Sequence, residues 1–144
     1  MIDRITVKAP ATSANLGPGF DCLAMALDIW NTVEVVRGAD RIAVYGEGQG
    51  KLPADKTNLA YSAFSLPFVE RGEPVPSVSM TCDSAIPLER GLGSSSAAIA
   101  AGLLAGSAMC SAPLTDDEIL ELAVRTEGHP DNVAASLRGG FQIV

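Results

Sequence analysis

The chain is short of several things. Of its 144 residues only 5% are aromatic, one is histidine, and ten Lys or Arg face 17 Asp or Glu, for a net charge of −7. With few aromatics the core must be aliphatic. A hydrophobic fraction of 47% supplies one; a domain of this size buries roughly two-thirds of its unfolded surface, and disorder over most of the length is excluded. The acidic balance argues against a nucleic-acid partner, because phosphate backbones recruit Lys and Arg. It leaves room for a small phosphate ligand, which backbone N–H groups bind without net positive charge. The three cysteines, Cys22, Cys82 and Cys110, are odd in number and widely spaced. That argues against a disulfide framework and a structural zinc site, so free and mostly buried thiols are expected. No run reaches 18 uncharged apolar residues, and the start, MIDRITVKAP, lacks a signal-peptide pattern. No membrane partner is expected, and the expected setting is cytoplasmic.

What is present mixes strands and helices. Ile2 to Lys8 reads as a strand that Pro10 ends or marks as an edge. ATSANLGPGFD, residues 11–21, is polar and glycine-bearing and reads as a loop. Cys22 to Ile29 is a short apolar helix or strand. Asn31 to Val36 alternates as a half-buried strand, with Arg41 to Tyr45 as its hairpin partner across a Gly-Ala-Asp turn. After a loop at 46–58, Leu59, Ala63 and Leu66 mark a helix toward Glu70, ended or kinked at Pro67. Val75 to Cys82 alternates as a strand. Ala97 to Met109 reads as a buried helix on which Gly102 and Gly106, one turn apart, mark a face of close packing. Thr115 and Glu118 form a capping box for a helix running to about Glu127. Val133 to Leu137 reads as a short helix and Phe141 to Val144 as a strand. The order predicts an α+β or α/β sandwich. An ending inside an apolar strand reads as the N-terminal part of a longer protein.

Between the strand and the buried helix lies PLERGLGSSSAA, residues 87–98. Gly91 and Gly93 allow backbone angles and close approaches that a Cβ would block. Ser94, Ser95 and Ser96 fall at the helix start, where the first N–H groups lack internal partners and the helix dipole attracts an anion. Their hydroxyls add donors, and one can reach a metal held by phosphates. The segment suits phosphate; it also suits a tight turn followed by serine capping, and both readings stand at this point. It is not a Walker A loop, since the lysine is missing, and Ser96 stands where G-x-G-x-x-G needs its third glycine. Thr12, Ser13, Asn15 and Asp21 in the first polar segment can orient a small polar ligand or simply form a polar loop. Glu127, His129, Asp131 and Asn132 cluster at a helix end. A carboxylate there suits Mg2+ beside phosphates, while the single histidine serves either the site or a helix cap.

Together three segments resemble the homoserine kinases, of the family that also includes galactokinase, mevalonate kinase and phosphomevalonate kinase. They are KAPATSANLGPGFDCLAMALD at 8–28, PLERGLGSSSAA at 87–98 and EGHPDNVAASLRGG at 127–140. The resemblance implies a two-layer α+β domain like ribosomal protein S5 domain 2. It implies the N-terminal domain of a two-domain enzyme with the active site between the domains, the C-terminal domain being absent from these residues. The implied reaction moves the γ-phosphoryl group of ATP, with Mg2+, to the side-chain hydroxyl of L-homoserine, on the route to threonine. On this resemblance Pro87, Leu88, Glu89, Arg90, Gly91, Leu92, Gly93, Ser94, Ser95, Ser96 and Ala97 bind the nucleotide, Gly91 to Ser96 wrapping its phosphates, and Asn58 helps hold it. Ser95 shares the metal with Glu127 or, nearly two turns upstream, Glu121. Asn15, Asp21, His129 and Asn132 line the substrate pocket, with Asp21 on the substrate's amino group.

The segments depart from the mevalonate kinase pattern in two places. ATSAN carries no lysine, and Asn132 stands where an aspartate is expected. An amide is no general base, so the resemblance implies transfer by alignment and charge neutralisation, with Ser95, Glu127 and Asn132 as the catalytic set. Ser96 is a smaller departure, where alanine is common. The implied partners are L-homoserine, the C-terminal domain in cis and, dimers being common in the family, a homodimer. Two other readings stay open: a kinase of the same family acting on another small alcohol, and a non-catalytic binding domain, which would favour a basic surface. The 144 residues alone are expected to turn over little, because the arginines for the substrate carboxylate lie largely in the second domain.

Overall fold

The computed structural model describes residues 2–144. Two long strands, β1 (Arg4–Leu16) and β2 (Gly19–Arg37), are followed by β3 (Arg41–Gly46), α1 (Leu59–Glu70) and β4 (Val78–Ser84). Then come α2 (Ser94–Met109), α3 (Asp116–Glu127), α4 (Pro130–Arg138) and a short β5 (Phe141–Ile143). The sheet runs β1-β2-β4-β3, and β5 pairs with β2 at Leu23–Met25, beyond the stretch that β4 occupies. Apolar side chains of the sheet, Val33, Val35, Val78 and Met80, pack in one cluster with Phe64, Phe68, Ala97 and Ala101 of α1 and α2. A second cluster joins those two helices to Ile119, Leu122 and Val133 of α3 and α4. A sheet layer under a helix layer is the expected α+β fold. Among the described residues no helix is long and apolar enough to cross a membrane.

The strands differ from expectation in three ways. Residues 11–21 are not a loop: β1 runs through Pro10 to Leu16, and only Gly17 and Pro18 form the turn before β2. Pairing with β2 supplies the backbone bonds, and Pro10 is tolerated because β1 is an edge strand. Cys22 to Ile29 is strand, continuous with Asn31 to Val36. The pairing steps from Pro10–Trp30 to Ala11–Leu27, so Asp28 and Ile29 form a bulge, a feature that bends a hairpin. Finally, β3 is no hairpin partner of β2. It pairs in parallel with β4, which inserts between them. A parallel neighbour must arrive by a crossover, and α1 provides it. β4 itself begins at Val78, three residues later than the alternation suggests.

The helices follow the sequence more closely. α1 continues through Pro67 to Glu70, and α2 begins at Ser94, one turn before the alanine run. A Cβ on Gly102 would collide with the Ala60 carbonyl oxygen, and one on Gly106 with that of Phe64. The two backbones therefore lie in contact, with α1 the element packed on the small-residue face. The Thr115–Glu118 capping box is present. Glu118 also receives both Nη1 (3.0 Å) and Nη2 (2.9 Å) of Arg71, the residue that ends α1. Those bonds, first of all Arg71, and the Thr115 N–H hold its carboxyl down at about 2. All three cysteines are free, Cys22 half-buried and the others buried, and burial pushes the thiols of Cys82 and Cys110 up to about 11.

Two stability predictions follow from these contacts. Gly106→Ala should cost about 1–3 kcal/mol, the usual penalty of overpacking, read as a lower midpoint in thermal and urea unfolding. Glu118→Gln should destabilise at neutral pH. Because the folded carboxyl titrates below its unfolded value, its contribution is present above about pH 4.3 and is lost as pH falls toward about 2. The gap between wild type and variant should close across that window.

Candidate active site

The segment between β4 and α2 has no regular structure, and its path is set by unusual backbone angles. Glu89, Gly91 and Gly93 have φ of 57°, 68° and 67°. A Cβ on Gly91 would meet nothing, so the backbone there faces open space. A Cβ on Gly93 would collide with Thr12 Oγ1. Two bonds fix the ends of the loop: Asn31 Oδ1 accepts from the Ile86 N–H at 3.0 Å, and the Leu92 carbonyl accepts from the Thr12 N–H at 2.9 Å. Gly93 is the N-cap of α2 and offers no capping side chain. The first intrahelical bond, Ala97 N–H to Gly93 O, leaves the N–H groups of Ser94, Ser95 and Ser96 without intrahelical acceptors.

These groups open onto a cavity of about 570 Å³. Residues 87–96 line it, as do Leu52, Pro53, Asn58, Leu59, Glu127 and Asn132. Ala97 lies buried beneath. Since Gly102 faces Ala60 and Gly106 faces Phe64, α1 and α2 run in the same direction. Both helix N-termini therefore end at this cavity, and both dipoles direct positive potential into it. Asn58 borders it as the N-cap of α1. Its Oδ1 accepts from the Ala60 N–H (2.9 Å) and its Nδ2 donates to the Pro53 carbonyl (2.7 Å), so its amide is committed to the fold.

Glu127 is the last residue of α3, stopped there by Gly128 at φ 90°. Its Oε1 accepts from Ser95 Oγ (2.8 Å) and Ser96 Oγ (3.0 Å). A carboxylate disfavoured at the end of its own helix thus lies at the favourable start of another. Glu121 stands exposed on α3, outside this contact. Ser95 and Glu127 place two hard oxygens together, the donor type a divalent cation such as Mg2+ prefers. Pro130 opens α4 and brings Asn132 to the cavity, where its Oδ1 accepts from Thr12 Oγ1 at 2.6 Å. Asp131 is buried, with Oδ1 on the Asn132 N–H (2.8 Å).

The other expected pocket residues lie outside this cavity. Asn15 and Asp21 occupy the tip of the β1–β2 hairpin, both at positive φ (57° and 56°), with Asn15 Oδ1 accepting from the Asp21 N–H at 2.8 Å. His129 is the exposed N-cap residue of α4 and makes no capping bond with its side chain. Sequence reasoning missed Asn31 and the binding partner of Thr12. Asn31 reads only as the first residue of a strand. Thr12 is one polar residue among several.

The pattern of the GHMP kinases N terminal domain matches residues 58–140. The homoserine kinase of Desulfitobacterium hafniense is 46% identical over 141 residues, covering 96% of this chain and 47% of that protein. That of Corynebacterium efficiens is 44% identical over 139 residues, covering 95% and 45%. The chain spans about half the length of the curated relatives it matches. Among solved structures, the homoserine kinase of Cytophaga hutchinsonii superposes with a TM-score of 0.87 at 31% identity, over 100% of this chain and 49% of that one. A mevalonate kinase of Methanococcus jannaschii, at 20% identity and covering 96% of this chain and 52% of its own, shares the fold with a TM-score of 0.74. With the family pattern running from the start of α1 through β4, the loop, α2, α3 and α4, and likeness to homoserine kinases over nearly the whole chain, the protein belongs to the GHMP kinases, as its three segments implied.

Proposed function

We propose that this domain binds ATP and Mg2+ and serves the transfer of the γ-phosphoryl group to the side-chain hydroxyl of L-homoserine. The observation that carries the reaction class is the open N-terminus of α2 with Ser95 and Glu127 in contact beside it. The substrate is argued from the homoserine kinases at 44–46% identity. The residues fit a nucleotide: an uncapped helix start, a backbone that faces space at Gly91, and apolar walls at Leu52, Pro53, Leu59 and Leu88 suited to a flat base. They fit a cation as well. Ser95 and Glu127 supply a hydroxyl and one carboxylate, a set that suits Mg2+ completed by water and phosphate.

When bound, Mg2+ supplies neutralisation of the phosphate charge. The chain does the rest. The N–H groups of Ser94, Ser95 and Ser96 and the dipoles of α1 and α2 hold the phosphates. Glu127 and Ser95 fix the cation. Arg90, exposed at the rim, adds a positive charge near the phosphates. Asn132 donates from its amide to the reacting groups and takes no proton, so transfer rests on alignment. Asn15, Asp21 and His129 are assigned to the amino-acid end of the substrate, with Asp21 on its ammonium. Asn58 acts by capping α1. Glu127 is preferred to Glu121 because only Glu127 touches Ser95.

The chain is read as the N-terminal domain of a two-domain enzyme, supported by its 45–47% share of the relatives. Exposed Phe20, Phe141 and Ile143 offer apolar surface of the kind a second domain covers.

The deciding experiment is ADP release by the complete enzyme with Mg-ATP and a panel of L-homoserine, L-serine, L-threonine, mevalonate and galactose. A strong preference for L-homoserine is expected; preference for another alcohol would keep the phosphate site and overturn the substrate. Ser95→Ala and Glu127→Gln should each lower turnover by roughly tenfold or more and raise the Mg2+ requirement. Unchanged kinetics at limiting Mg2+ would remove the metal assignment. Asn132→Asp should lower activity as well, since it replaces a donor by an acceptor. A gain would instead mean that a base was missing.

A further inference from the structure

We propose that Thr12 is a positioning residue for the transfer step: its hydroxyl turns the Asn132 amide so that Nδ2 faces the cavity. This rests on the phosphoryl-transfer reading above and assigns one more residue to it.

Thr12 is completely buried, yet it ties three segments of the site together. Its N–H holds the Leu92 carbonyl of the loop. Its Oγ1 lies against Gly93, so closely that no Cβ fits between them. The same Oγ1 meets Asn132 Oδ1 at 2.6 Å. An amide has a donor end and an acceptor end, and which one faces a ligand decides its chemistry. The distance identifies the end. A separation of 2.6 Å is usual for O–H···O and short for N–H···O. The hydroxyl therefore donates to Oδ1, and both Nδ2 protons are left for the cavity that Asn132 lines with Ser95 and Glu127.

That orientation suits the reaction. A donor there can stabilise charge on a phosphoryl oxygen or on the attacking hydroxyl. The acceptor end would instead add a second repulsive oxygen beside Glu127. The support behind Thr12 is rigid. It follows the β2 bulge, and Ser136 Oγ of α4 donates to the carbonyl of Pro10, two residues before it (3.3 Å). Hairpin and α4 are thus joined twice, at Thr12–Asn132 and one turn further along α4 at Pro10–Ser136.

Thr12→Val keeps the branched shape and the Leu92 bond and replaces the donating hydroxyl by a methyl group. In the complete enzyme with Mg-ATP and L-homoserine it should lower kcat about 10- to 100-fold, with KM for Mg-ATP changed less than about twofold. Thr12→Ser should recover most of the loss. In an Asn132→Ala background, Thr12→Val should cost nothing further, since the two act as one unit. An unchanged kcat overturns the proposal. So does a loss that appears mainly in KM for Mg-ATP and persists in Thr12→Ser, which would mean a loosened loop. Should valine prevent folding, Thr12→Ala gives the same comparison. An unaltered enzyme inactive on every alcohol would overturn the proposed function itself, whereas an active one indifferent to Thr12→Val overturns this inference alone.

Discussion

The backbone of α2 touches the backbone of α1 at Gly102 and Gly106 and the Thr12 side chain at Gly93, and those contacts fix where its first N–H groups point. A helix start is an anion site only if it is held still and left open. α2 meets both conditions by division of labour. Its length is nearly all buried in the two apolar clusters, so its axis cannot drift. Its first residue is preceded by a glycine with no side chain to occupy the free donors. Any side chain at Gly93 would both fill that space and displace Thr12. The one feature that a longer side chain would stabilise locally is the feature the site needs left empty.

The same logic explains what could be read in the sequence and what could not. PLERGLGSSSAA is legible because its chemistry is local: glycines for angles, serines for hydroxyls, a helix downstream. The Thr115–Glu118 box is local too, and it forms as expected. The hairpin of β1 and β2 was not legible. Residues 11–21 look like a loop because their backbone bonds are met within a hairpin whose second strand starts at Gly19, after a two-residue turn, and whose bulge no pattern announces. The parallel pairing of β3 with β4 depends on residues some 40 positions apart, joined through α1. In the site, Glu127 could be preferred from its place at a helix end. The bond between Thr12 and Asn132 could not, because its partners lie 120 residues apart. Asn58, which only the family resemblance singled out for the nucleotide, lines the cavity while both ends of its amide serve the start of α1.

A domain of net charge −7 that is to hold a nucleotide meets an electrostatic difficulty. The cavity lining carries one cationic side chain, Arg90, against Glu89 and Glu127. The net side-chain charge of the lining therefore does not attract phosphate, whatever Arg90 adds locally. The attraction must come from oriented dipoles, and two of them converge because α1 and α2 run in parallel. The start of α2 holds the Glu127 carboxylate by the same attraction. Phosphates brought to the same place would face that carboxylate directly. On the proposed reading a divalent cation held by Ser95 and Glu127 would resolve the conflict, its charge reversing the local balance. Glu127, which accepts from the Ser95 and Ser96 hydroxyls, would hold that cation together with Ser95. On that reading the carboxylate that would repel nucleotide alone would favour nucleotide carrying its metal, on the strand–loop–helix geometry that Thr12 and Gly93 hold in place.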